Sequence, residues 1–160
     1  MSLDRLNLVV DATGNLAKTE VWVTKTGSDS TGSLNDQNSP FSTVPAAAQA
    51  IESAYGSCDG AIIYLGEGEW DLGTGSFMTD YEWLTITRAL GTSKENVIVH
   101  HAYHFETYAL RLYDITLRSD GKLDNFLRDH ALIWLWIDSC RVIGSGRHIK
   151  NSAPIFRDDN

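Results

Sequence analysis

Ala61-Ile62-Ile63-Tyr64-Leu65-Gly66-Glu67-Gly68-Glu69-Trp70 opens the last hundred residues of the chain with a short apolar run and a glycine turn. Runs of this size with β-branched and aromatic residues, punctuated by glycine, read as strands. The phrase recurs in Ile62–Leu65, Trp83–Thr87, Asn96–His100, Leu110–Leu117, Ala131–Asp138 and Cys140–Ile143. Turns at 66–68, 73–75, 91–93, 119–121 and 144–146 separate them, and no helical period survives. An antiparallel sandwich would carry Asn-Gly or Asp-Gly between paired strands. Asp59-Gly60 and Asp120-Gly121 are the only such dipeptides, and neither joins two well-formed neighbours. The looser spacing predicts a solenoid, in which each coil stacks on the one before.

Toward the N-terminus, Val21–Thr24 reads as a strand, followed by the polar stretch KTGSDSTGSLNDQNSP (25–40). Gly, Ser, Asp and Asn tolerate left-handed backbone and bond their own main chain, so this is an ordered loop. Pro45 then sits at a first helical position, Ala46–Tyr55 are good helix formers and Gly56 supplies the stop. The chain is thus one domain, 1–160, with a strand, loop and capping helix over 1–60 and coils over 61–160.

Val21-Trp22-Val23, Thr26-Gly27-Ser28-Asp29-Ser30, Ser39-Pro40-Phe41-Ser42-Thr43, the Ala47–Ala50 helix and Ile63-Tyr64-Leu65…Gly68-Glu69-Trp70 follow in that order. The order resembles the N-terminal cap and first coils of right-handed parallel β-helix proteins of the pectate lyase-like kind, with Trp70 where the family usually has Tyr. Asn96–Val99, Tyr113–Thr116 and Trp136–Cys140 resemble later coils. The resemblance implies a mainly β fold, a right-handed parallel β-helix with an N-terminal capping loop and one short helix. It also implies an extracellular or virion-associated setting. The alternation predicts inward rows of Ile63 and Leu65, Leu84 and Ile86, Val97 and Val99, Ile115 and Leu117, and Ile133, Leu135 and Ile137. With coils of about 22 residues, 61–160 supplies four to five. Ala153–Asn160 reads as a loose acidic tail, so the chain is expected to be a fragment or to have its C-terminal end covered by another copy.

Thirteen Lys and Arg against 21 Asp and Glu give a formal charge of −8. An acidic chain repels phosphate backbones and anionic lipid, which speaks against nucleic-acid and membrane partners. No apolar run reaches the roughly 20 residues that span a bilayer, and Leu6–Val10 is too short for a signal-peptide core. Cys58 and Cys140 are not in a CxxC arrangement and read as two separate buried thiols.

With Leu135 and Ile137 inward, Trp134, Trp136 and Asp138 point outward, and Arg111 and Tyr113 extend that face from an earlier coil. Two rings at i and i+2 suit stacking on sugars, and a carboxylate suits hydroxyls, which makes a polysaccharide or glycan the expected partner. The same rings would equally pack under a loop or a second subunit, and the residues leave both open. Asp138, Arg141 and Arg147 form the catalytic candidate of a polysaccharide lyase or hydrolase acting on acidic glycans, with Asp114 as a further member. The resemblance implies calcium and a proton-abstracting arginine for that chemistry. The family's W-I-D-H phrase, however, reads Trp136-Ile137-Asp138-Ser139 here, and no compact acid cluster offers the oxygens calcium wants. Outside that reading no cofactor is expected. His100 and His101 face opposite sides of a strand and His104 falls on a turn, so the three read as surface residues rather than a zinc site. Asp29 and Asp36 read as Asx-turn residues. A third expectation is an oligomeric, tail-spike-like scaffold with its exposed aromatics at subunit contacts.

Overall fold

A computed structural model describes residues 19–72, 84–100, 109–119, 134–144 and 155–158. Strands β1 (Thr19–Val23), β2 (Ala61–Leu65), β4 (Leu84–Arg88), β6 (Ala109–Tyr113), β8 (Trp134–Asp138) and β10 (Ile155–Asp158) form one sheet in that order. Strands β3 (Gly68–Asp71), β5 (Val97–His100), β7 (Thr116–Ser119) and β9 (Arg141–Gly144) form the second. Every pairing is parallel. The chain alternates between the sheets and returns to each, which is the topology of a solenoid. Ile62 pairs with Thr85, Leu84 with Leu110 and Leu135 with Ile155 in the first sheet, and Gly68 with Val97 and Ile98 with Thr116 in the second, so from β2 onward one circuit takes 18 to 29 residues. The protein is mainly β, two parallel sheets with one short helix, as the strand spacing predicts.

The core lies between the sheets. Val21, Ile63, Ile86 and Leu112 align in one row of the first sheet, and Trp70, Val99 and Leu117 in one row of the second; all are buried. Each fully buried aliphatic side chain is worth roughly 1.5–3 kcal/mol, and stacking like on like lets every coil close the one below.

Three expectations need correction. The run 110–117 is two strands, because Asp114 takes a left-handed φ of 51° and turns the chain from β6 into β7. Ser139, at φ 54°, repeats that bend between β8 and β9. The two bends stack: the Asp114 amide donates to the Asp138 carbonyl and the Arg141 amide to the Ile115 carbonyl. The tail 153–160 is not wholly loose, since Ile155–Asp158 pairs with β8. The helix, α1 (Val44–Tyr55), starts at Val44, one residue before Pro45.

The N-terminal end is closed by the polar loop. Along the outer edge of β1, the Asn35 amide donates to the Glu20 carbonyl and the Phe41 amide to the Trp22 carbonyl, while the Thr24 amide donates to the Phe41 carbonyl, each at 2.8–2.9 Å. A strand edge that would otherwise invite another chain is thereby satisfied. Glycine is required at 27, where a Cβ would lie 2.0 Å from the Phe41 oxygen. Thr43 caps α1, its hydroxyl accepting from the Ala46 amide. Asp29 holds that cap by accepting from the Ser42 and Thr43 amides and the Thr43 hydroxyl at 2.8–2.9 Å. Val44, Ala47, Ala48 and Ile51 are the buried face of the helix, which packs on β1 and β2. The second sheet begins under Lys25, whose ammonium lies 3.8 Å from the Trp70 ring centre and donates to the Glu69 carbonyl.

Candidate functional site on the outer face of the first sheet

Alternation sends every second residue of the first sheet away from the core. Register assembles these into two rows. Glu20, Ile62, Thr85, Arg111 and Trp136 make one; Trp22, Tyr64, Thr87, Tyr113 and Asp138 make the other. Aromatic pairs therefore stand toward both ends, with threonines between them. Trp22 and Tyr64 stack with centroids 5.2 Å apart, and the Tyr64 hydroxyl donates to Glu20 at 2.9 Å.

Arg111 is the hub of the other end. Its guanidinium carbon lies 4.7 Å from the Trp136 ring centre and 5.0 Å from that of Tyr113. Nη2 donates to Asp138 Oδ2 at 2.8 Å, and the other oxygen of Asp138 accepts from the Ser139 hydroxyl. Cation–π contact and a charge-assisted hydrogen bond together fix the guanidinium. Arg111 is only 9% exposed, whereas Tyr113, Trp136 and Asp138 are half-buried. Arg111 Nε and Thr87 Oγ1 are buried without a hydrogen-bond partner. Such atoms cost about 1–3 kcal/mol each, so this spot holds unused hydrogen-bonding capacity.

The structure brings Arg111, Tyr113, Trp136 and Asp138 together. Trp134 begins β8 opposite Ala109. Arg141 is separated from Asp138 by the Ser139 bend; it lies on β9 of the second sheet, opposite Thr116, and is exposed. Asp114 is committed elsewhere, pairing with Arg88 at 2.6 Å and Lys94 at 2.8 Å. Arg147, His101 and His104 lie outside the described residues. Among the described residues no three His, Cys, Asp or Glu side chains gather to hold a metal. The sequence reading missed Trp22, Tyr64, Glu20 and the two threonines as members of this face. The alternation that places Trp136 on this face also places Trp22 there, since Trp22 stands between buried Val21 and Val23.

Neither thiol is poised for chemistry. Burial pushes Cys58 up to about 12 and Cys140 up to about 11, far from the range in which a thiolate forms at neutral pH. Both are free. Comparison with known protein families, with curated proteins and with solved structures finds no match to this chain.

Proposed function

We propose that the chain is a right-handed parallel β-helix module of the pectate lyase-like kind that binds carbohydrate on the outer face of its first sheet and does not turn it over. The observation that carries this is the cluster of Arg111, Tyr113, Trp136 and Asp138. A sugar needs a flat apolar surface for its C–H face and fixed polar groups for its hydroxyls. Half-buried Tyr113 and Trp136 supply the first. Half-buried Asp138 supplies the second. The catalytic reading has less support: Asp138 is already held by Arg111 and Ser139, and Arg141 sits on the other sheet.

Trp136→Ala should weaken binding of a glycan ligand at least tenfold, read by titration calorimetry, while leaving the far-ultraviolet circular dichroism unchanged. Loss of the β signal instead would make Trp136 a packing residue and end the proposal. Turnover of an acidic polysaccharide that Asp138→Asn abolishes would favour the lyase instead.

A second reading, an oligomeric scaffold, draws on β9. Among the described strands β9 pairs on one side only, and Val142, in line with Leu117 of the core row, is 49% exposed. A strict monomer by light scattering at micromolar concentration would exclude it.

A further inference from the structure

Resting on the carbohydrate-binding reading above, we infer that the glycan recognised is an uncharged one. The cluster contains a guanidinium, the usual receptor for a sugar carboxylate or sulfate, but Arg111 is not on offer. Its Nη2 is spent on Asp138 at 2.8 Å, and its plane is occupied by Trp136 and Tyr113. Both partners of the ion pair are largely buried, with side-chain exposures of 11% and 18%. An anionic ligand reaching Arg111 would displace Asp138 and leave that carboxylate uncompensated in a poorly solvated place. Removing one partner of such a pair leaves the other charge buried and unpaired, which is strongly unfavourable.

Among the described residues the rest of the face adds no cation. Its described ionisable side chains on outward positions are Glu20, Arg111 and Asp138, two carboxylates against one guanidinium. The chain as a whole carries −8. A polyanion is thus repelled at long range and finds no free positive group at short range. A polycation finds Asp138 already neutralised and Glu20 engaged by Tyr64. The uncharged groups of the face are the half-buried rings of Tyr113 and Trp136 and the hydroxyl of Thr87, whose Oγ1 is buried without a partner. Ring oxygens, glycosidic oxygens and hydroxyls of a neutral polysaccharide fit that inventory.

The test is tryptophan fluorescence titration with soluble neutral glucan, mannan, xylan and galactan, with polygalacturonate and hyaluronate, and with chitosan, at 20 and 300 mM NaCl. The expected result is a saturable response to at least one neutral polymer, with a Kd that changes less than twofold between the two salts. Asp138→Asn, which frees Arg111, should then gain at least tenfold in affinity for polygalacturonate. Tighter binding of a uronate polymer or of chitosan by the native protein, or a tenfold weakening by salt, overturns the inference while leaving a carbohydrate function standing. No gain of polygalacturonate binding in Asp138→Asn also overturns it. No response to any polymer removes the carbohydrate reading itself.

Discussion

The two ends of the stack handle the same problem differently. At the N-terminal end the edge of β1 is met by Asn35 and Phe41, and α1 lies over β1 and β2. Toward the other end, β9 keeps one ladder partner among the described strands, and Val142 of the core row is half exposed. Closing an edge therefore takes more than polar residues nearby. It needs backbone N–H and C=O groups delivered at every second position, and here a loop pinned by Asp29 and by two glycines against Phe41 delivers them.

The largest effect that would break this contrast is expected at Phe41. Phe41→Ala empties a buried position under Gly27 and Gly32 and should cost about 3–5 kcal/mol in urea denaturation. Val142→Ala at the other end should cost less than about 0.5 kcal/mol, as an exposed position does. Near-equal losses would mean that the two ends are equally closed.

Next in size is the bend on the coil nearest β9. Ser139 holds a left-handed φ of 54°, which a β-branched side chain tolerates poorly. Ser139→Val should destabilise by about 1–2 kcal/mol, with Ser139→Asn close to neutral on the same denaturation curve.

Asp29 should matter less and only above acid pH. Burial raises its pKa, but hydrogen bonds from Ser42 and Thr43 outweigh that and hold the carboxyl below its usual 3.8. Its contribution is therefore fully present above about pH 4 and lost as pH falls through the depressed value. Asp29→Asn should flatten the decline in melting temperature below pH 4. A variant that follows the native curve would place the acid sensitivity elsewhere.

The finest probe is thiol labelling. Cys58 lies beneath the capping helix, its thiol donating to the Ala48 carbonyl, whereas half-buried Cys140 sits at the bend before β9. Under native conditions at pH 8 both should resist a thiol reagent, and Cys140 should label before Cys58 as the less protected end opens first. The reverse order would show the capped end to be the weaker one.

Much of this architecture was legible because it depends on alternation. Val21, Ile86 and Leu112 stand between residues of different character, and Gly27, Phe41 and Thr43 belong to a recognisable order of cap residues, whereas Asp29 reads as an Asx-turn residue and instead reaches Ser42 and Thr43. What escaped depends on φ or on ladder bonds alone. Asp114 looks like an ordinary polar residue, yet the core positions jump from Leu110 and Leu112 to Ile115 and Leu117, a slip of three that marks the bend. Strand β3, Gly68–Asp71, has no β-branched residue and is held by its pairing to β5 and by Trp70, whose indole donates to the Gly66 carbonyl. Strand β10 follows Pro154 and carries Arg157 and Asp158, so its composition resembles a tail. At the site, the aromatic residues and Asp138 stood out from alternation. The Arg111–Asp138 bond did not, because it crosses between coils whose register a single sequence does not print.

The bends also bear on how such a chain can change in length. Asp114-Ile115 and Ser139-Cys140 span the corner between the sheets in two residues, whereas the coil of β4 and β5 takes residues 89–96 to turn the same corner, and a full circuit from β2 onward varies from 18 to 29. Extra residues at the corner are thus taken in on one coil while the parallel ladders on either side of it are kept. The corner is therefore a place where the chain can lengthen and acquire new surface without disturbing the register that sets Trp136 beside Arg111.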